Sequence, residues 1–333
     1  MMNSVLYAGR MSVMPFSESS PETVGVIGLG NMGLPMLRHL VAASAPRDTD
    51  SDSSGETPTA ASPSAISRVV VSARSADRAR TAVDAGADYV ETPRALADAC
   101  TVVILMVPDL LQVEEVLFGP DGLTAADSDL LVVVCSSVSP VGLREVDLRV
   151  REATDGRMRL VDAPVSGGTE GATAGTLSIM VGGADEDVAR VIPVLSACGR
   201  PVHLGELGAG EVAKACNQLI VAATMAAIAE ASVIAERQGL DLNTVLSLLE
   251  GGYAGSRVLE TKRERLVARD YAPTGVAKFM VKDLGFAAAA AAATGTTTLT
   301  LDAVRATFVN LTEAGLGDDD LCVVHRYIGE LSE

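Results

Sequence analysis

The chain is short of positive charge. Its 333 residues carry 26 Lys and Arg against 43 Asp and Glu, a formal charge of −17 at pH 7, with a sequence pI near 4.6. That balance disfavours any general attraction to nucleic acid or to anionic lipid, so neither a nucleic-acid nor a membrane partner is expected. A local site can still differ in sign from the whole surface and take an anionic ligand. Paired cysteines are missing as well: Cys100, Cys135, Cys198, Cys216 and Cys322 are odd in number, widely spaced and free of any Cys-x-x-Cys. A disulfide framework and a structural zinc site are thereby disfavoured, and a reducing cytoplasm fits better. The three histidines, His39, His203 and His325, are scattered and read as structural; no His/Asp/Glu cluster suggests a metal. No apolar run is expected to reach the ~18–20 residues that span a bilayer. The first 22 residues contain Arg10 but lack a basic start followed by a sustained apolar segment. They read as a loose tail, within which Met11 or Met14 could equally open the chain.

What is present suffices for a folded protein. Hydrophobic residues make up 48% of the chain, which excludes wholesale disorder. The length points to two domains or one large one. Thr23–Gly30 holds the apolar run Val24-Gly25-Val26-Ile27 and ends in glycines, as a buried parallel strand feeding a turn does. Pro35 to Ala43 follows with Met36, Leu37, Leu40 and Val41 at helical spacing, which completes the opening of a βαβ unit. Ser44–Ser67 then has Ile66 as its only large apolar residue and sets Asp48, Asp50, Asp52 and Glu56 against Arg47. Such a stretch buries too little to offset its ordering entropy, and we expect a disordered acidic insertion.

Strands are expected at Arg68–Ser72, Val102–Val107, Leu130–Cys135, Leu160–Asp162 and Leu177–Val181, with a helix over Ala76–Ala85. Alternation of this kind favours a parallel sheet wrapped on both faces by helices. Glu211–Gln238 runs without Gly or Pro for several times the length of a strand. The segment is expected to be one long helix opening an all-helical region. The fold class is therefore α/β: an N-terminal Rossmann-type, doubly wound sheet over 23–206, joined by the long helix to a helical domain over 207–333.

Gly28-Leu29-Gly30-Asn31-Met32-Gly33 matches G-x-G-x-x-G after a strand and before a helix. The first glycine permits the tight turn, the second lets backbone approach a pyrophosphate, and the third lets helix pack on strand. The helix N-terminus supplies donors for the phosphates. An acidic residue commonly follows ~20 positions later and bonds the ribose of NAD. Here only the insertion lies at that distance, and the second strand ends in Ser72-Ala73-Arg74-Ser75. Either Arg74 pairs with a 2′-phosphate, or it is a solvated residue at the strand end. With no carboxylate to oppose the phosphate, NADP is favoured, and NAD remains open.

Two further patterns bear on a substrate. Asp162-Ala163-Pro164-Val165-Ser166-Gly167-Gly168 ends in a turn whose backbone donors and hydroxyl suit a carboxylate, although isolated turns of this kind are often structural. Gly208-Ala209-Gly210 is followed by Lys214 and Asn217, three apart on one helical face. A lysine at a helix start is ordinarily a solvated charge. Here Lys214 is expected in the first turn, where the macrodipole and apolar neighbours both disfavour its charge and lower its pKa.

With these motifs in place, the sequence resembles the β-hydroxyacid dehydrogenases, the family of 3-hydroxyisobutyrate dehydrogenase and tartronate semialdehyde reductase (2-hydroxy-3-oxopropionate reductase). The resemblance runs from about Thr23 to near the C-terminus, across Val26–Gly33, Asp162–Gly168, Gly210 with Lys214 and Asn217, and Lys282-Asp283-Leu284. Gly251–Ser256 looks like the reductase branch. The resemblance implies roles: Lys214 as catalytic acid/base, Asn217 holding substrate, and Ser166, Gly167 and Gly168 binding its carboxylate. It puts Lys282 at the boundary of substrate and cofactor, with Val107-Pro108 and Ser137 lining the nicotinamide side. It implies an NAD(P)-dependent oxidoreductase of a short β-hydroxy acid and its semialdehyde, within a superfamily that includes 6-phosphogluconate dehydrogenase. Non-catalytic and imine-reducing relatives share the scaffold but usually lack the lysine. A decarboxylating phosphosugar-acid dehydrogenase would need a larger helical domain. The apolar stretch Val221–Ile234 suggests burial between subunits, hence a homodimer or homotetramer.

Overall fold

The computed structural model describes residues 20–44 and 64–332. Most of the expected tail and the centre of the expected insertion, 45–63, lie outside these residues. The margins of both expectations need correction. Glu22, assigned to the tail, opens the first strand and is buried, with Arg190 Nε 3.0 Å from its carboxylate. Ser44 closes the first helix, and Ile66 and Ser67 belong to the second strand. Ser64 Oγ donates to the carbonyl of Ala43 at 2.6 Å, so the two ends of 45–63 are tied together.

The sheet-forming half runs β1 (Glu22–Ile27), α1 (Gly33–Ser44), β2 (Ile66–Ser72), α2 (Ala76–Asp84), β3 (Asp88–Tyr89), α3 (Pro93–Ala99), β4 (Val102–Leu105), α4 (Leu110–Phe118), β5 (Leu130–Val134), α5 (Pro140–Ala153) and β6 (Met158–Asp162). It continues through β7 (Val165–Ser166), α6 (Gly168–Ala174), β8 (Leu177–Gly182), α7 (Asp185–Leu195) and β9 (Gly199–Gly205). The strands form one sheet in the order β3-β2-β1-β4-β5-β6-β8-β7, with β9 paired to β8. The first six strands are parallel neighbours; β6 meets β8 antiparallel.

Continuous apolar strands fit this arrangement because both faces of a parallel sheet are covered. In β5, Leu131 and Val133 face one core while Leu130, Val132 and Val134 face the other. The expected strands and helices of this half are found where the apolar runs place them. β9 was not expected: its sequence alternates half-buried and exposed residues and contains Pro201, which can be borne by an edge strand bonded on one side only.

The rest is helical: α8 (Ala209–Arg237), α9 (Leu242–Glu250), α10 (Arg257–Ala268), α11 (Phe279–Thr294), α12 (Thr300–Leu311) and α13 (Val324–Leu331). They enclose a third core that includes Met225, Leu246, Leu266, Leu284 and Phe308. By length and composition alone α8 could cross a membrane, which corrects the expectation that no apolar stretch is long enough. Its packing gives the apolar character another cause. Half of its most apolar stretch is buried within the chain, and the helix packs on β8, α11, α12 and α13.

Candidate active site

The strand order reverses direction at β1 and β4, where an open α/β sheet leaves a crevice beyond its carboxyl ends. Gly28 turns the chain there with φ of 101°, and a Cβ would strike the backbone of Met106. Next to it Gly30 has nothing within 4 Å of where its Cβ would stand. The open side of Gly30 is the space a pyrophosphate needs, at the N-terminal end of α1, whose dipole favours an anion. A dinucleotide therefore fits this turn. The adjoining cleft, about 490 Å³, is lined by Gly28, Leu29, Arg74, Ser75, Arg78 and Val107 among others, a volume suited to a small-molecule site. Arg74 reaches across it to Gln112 Oε1 at 3.4 Å. Arg78, one helical turn beyond Arg74, was not singled out in the sequence although the i,i+4 spacing could have revealed it.

The second half of the crevice is assembled around α8. Asp162, at the end of β6, is fully buried and accepts from the amides of Gly208 at 2.7 Å and Glu211 at 2.8 Å. These bonds start the helix at Ala209, after Gly208 in a left-handed conformation. Lys214 consequently lies in the second turn, not the first as expected, and the helix dipole has largely faded there. Burial is what lowers its pKa; Asp283 and Glu211 pull the other way, and Lys282 adds to the lowering. Lys214 Nζ donates to the carbonyl of Val165 at 2.8 Å. One turn along, Asn217 Oδ1 accepts from Ser166 Oγ at 3.2 Å, so β7 and α8 are joined at two consecutive residues.

From the other side comes α11. Lys282 Nζ donates to the carbonyl of Ser137 at 2.8 Å and to Asp283 Oδ1 at 2.9 Å, while Gln218 Nε2 donates to Asp283 Oδ2 at 2.7 Å. Ser137 thus contributes its backbone carbonyl to the site. Ser136 Oγ, in turn, accepts from the amide of Val107 at 3.0 Å and fixes the Val107-Pro108 turn. Gly167 (φ 141°) and Gly168 (φ 65°) form the turn into α6 beside Ser166. The predicted residues therefore form two groups: Gly28–Gly33, Arg74, Ser75, Val107 and Pro108 at the ends of β1, β2 and β4, and Ser166–Gly168, Lys214, Asn217 and Lys282 around α8, with Ser137 between them. Glu211, Gln218 and Asp283 were missed as participants. The signal for the first two was a polar stripe at positions 211, 214 and 218 of an otherwise apolar helix.

Residues 61–233 match the pattern of the NAD binding domain of 6-phosphogluconate dehydrogenase, and residues 208–328 match that of the NAD-binding region of NADP-dependent 3-hydroxyisobutyrate dehydrogenase. The chain belongs to the β-hydroxyacid dehydrogenases. It is 35% identical over 272 residues to a 3-hydroxyisobutyrate dehydrogenase-like protein of Arabidopsis thaliana, covering 81% of this chain and 78% of the relative. It is 41% identical over 204 residues to the 2-hydroxy-3-oxopropionate reductase of Escherichia coli, covering 61% and 69%. The solved 3-hydroxyisobutyrate dehydrogenase of Mycobacterium tuberculosis, with L-serine, superimposes with a TM-score of 0.72 at 30% identity, covering 93% of this chain and 99% of that one. As a member of this family the protein is an NAD(P)-dependent oxidoreductase acting on CH–OH groups.

Proposed function

We propose that this enzyme interconverts a short β-hydroxy acid and its semialdehyde, of the tartronate semialdehyde or 3-hydroxyisobutyrate type, with Lys214 as acid/base and NADP as the preferred cofactor. The observation that carries the reading is Lys214 itself. A lysine that is only 9% exposed, with one backbone acceptor and a pKa lowered by burial, gives up its proton more readily than a solvated lysine does. Ser166 and Asn217, bonded to each other beside it, offer a hydroxyl and an amide to a carboxylate-bearing substrate. Gly28–Gly33 would hold the pyrophosphate and Arg74 a 2′-phosphate. The chemistry supplied by a bound nicotinamide is hydride exchange at the carbon that bears the reacting oxygen. In reduction, Lys214 Nζ gives its proton to the developing alkoxide, which its charge also stabilises. In oxidation the neutral amine takes the hydroxyl proton.

Supporting observations bear on assembly and compartment. Ile220 and Ile234 stand exposed on α8, which supports assembly of copies through the helical half. Unpaired thiols, four of the five buried, support a reducing compartment such as the cytoplasm.

The test is Lys214→Ala, assayed with NADPH against tartronate, methylmalonate and succinate semialdehydes. kcat should fall by at least the ~10²–10⁴-fold typical of a lost general acid, with NADPH binding by fluorescence nearly unchanged. Lys214→Arg should fail equally, because a guanidinium does not release its proton near neutrality. Retention of more than a tenth of parental kcat on all three aldehydes would remove the lysine from the mechanism.

A further inference from the structure

Where α8 faces α11 the surroundings of Lys214 are already filled. Lys214, Ala215 and Phe286 border one small space with four polar residues, among them Gln218 and Asp283, and the space has no room for a water molecule. Ala215 and Phe286 are its apolar walls, and the Phe286 ring is the bulky one. The ring is held firmly for a residue that the mechanism above does not use. It is half-buried and packs against the helical core. Lys282, one turn earlier on α11, places its Nζ 5.6 Å from the ring centroid, and that ammonium is itself fixed by the Ser137 carbonyl and Asp283. Phe279, one turn before Lys282, has its centroid 6.0 Å from the same ammonium. Two rings, three residues before and four residues after Lys282, thus share one face of α11 with it.

We infer that Phe286 is a specificity-determining residue: it closes the position beyond the reacting carbon, so that aldehydes and primary alcohols are accepted and ketones and secondary alcohols are not. The inference rests on the proposed reading of the site, with Lys214 as acid/base and the substrate carboxylate at Ser166–Gly168. In the alcohol, the carbon that changes oxidation state carries four substituents. One is the oxygen, which must meet Lys214 Nζ. A second is the hydrogen that is transferred. The third leads through the next carbon to the carboxylate, and hence to β7, where Ser166 bonds Asn217 and the carbonyl of Val165 accepts from Lys214. The fourth is left pointing away from β7, toward α11 and the space that Phe286 fills. A hydrogen fits there. A methyl group requires the ring to move, and a close-packed wall resists even one added carbon. Substituents on the neighbouring carbon escape this restriction because they branch one atom nearer the carboxylate. Phe286 therefore sorts substrates by the reacting carbon and not by the side group of the acid.

The test uses two oxo acids that differ by one methyl group on the reacting carbon: malonate semialdehyde, an aldehyde, and acetoacetate, a ketone. kcat/KM for each is measured with NADPH in the full-length enzyme, in Phe286→Ala and in Phe286→Leu. The parent should favour the aldehyde by at least the ~10–200-fold that one carbon commands in an apolar pocket. Ketones are intrinsically less reactive, so the change in this ratio between the proteins is the readout. Phe286→Ala should raise kcat/KM for acetoacetate and shrink the ratio about tenfold or more. Phe286→Leu should shrink it by less, and it serves alone if Phe286→Ala does not fold. Methylmalonate semialdehyde, whose methyl group is on the neighbouring carbon, should keep its rate relative to malonate semialdehyde in all three proteins. A ring that is merely structural would lower every rate together and leave the ratio fixed, and that result overturns the inference, as does a parent that reduces both oxo acids equally well. If the parent reduces no semialdehyde, the β-hydroxy acid reading itself has failed; if it reduces them and the ratio does not respond, only the role of Phe286 has.

Discussion

Replacing Asp162 by Asn tests whether the end of β6 sets α8, the helix of Lys214, in place. The side chain is nearly isosteric, so the perturbation is electrostatic. The carboxylate accepts two backbone amides at the start of α8, and Gly182 and Gly210 pack against it closely enough that any added Cβ would meet its oxygens. An Asn can satisfy one amide through its oxygen but must aim its NH₂ at the other donor. One charge-assisted bond is lost, roughly 1.5–3 kcal/mol, and a buried donor is left without an acceptor, about 1–3 kcal/mol more. Against this, the anion is itself penalised: burial raises the Asp162 pKa in spite of the amides that lower it, so removing the charge returns part of the loss. A net cost of about 2 kcal/mol follows, which for a chain of this size lowers the thermal midpoint by roughly 3 °C. Because Lys214 and Asn217 ride on the same helix, a displacement on the order of 1 Å at its start should also lower kcat by about 10²-fold. Differential scanning calorimetry and steady-state assays on the purified variant read both effects. A midpoint within 1 °C of the parent, together with unchanged kcat, would refute the idea that these bonds hold α8 in register.

Arg74→Ala should weaken NADPH by one to two decades and leave NADH little changed, the loss of a charge-assisted phosphate bond worth ~1.5–3 kcal/mol. Equal KM values for the two cofactors in the parent enzyme would contradict it. Replacing residues 45–63 with a four-residue turn should leave kcat and thermal midpoint nearly unchanged. Ser64 Oγ already bridges to Ala43, and a short link suffices between those ends. A large loss of activity would show that the segment contributes to the site.

Much of the nucleotide end was legible because it depends on local rules. A buried apolar strand, a glycine turn with the required conformation and a helix start are each written within Val24–Ala43. The strands β4 and β5 were equally plain as uninterrupted apolar runs. Short or edge strands were not: β3 and β7 have two residues each, and β9 shows half-exposed alternation broken by Pro201. Lys214 was singled out, and its burial among apolar neighbours agrees with the expected lowering of its pKa, but the share credited to the helix dipole assumed a position one turn too early. Only the long-range capping of Gly208 and Glu211 by Asp162, 46 and 49 residues away in sequence, reveals where α8 begins. Gln218 and Asp283 bond across 65 residues, a tertiary contact in which the polar stripe on α8 marks Gln218 but not its partner.

The antiparallel step in the sheet separates two problems of recognition. β6 and β8 meet at Asp162 and Gly182, and the pairing continues through Val165–Ile179 and Ser166–Ser178. The pair of strands therefore overhangs the carboxyl edge of the parallel sheet and carries Ser166 out on its own ledge. Arg74 and Ser75 follow β2, on the far side of β1 from that ledge. Changes on the ledge and changes at the end of β2 share no hydrogen-bonded partner among the described residues, so their energetic effects should combine additively. Selection could thus exchange one cofactor for the other while the choice of acid drifts independently, each trait adjustable without reopening the other.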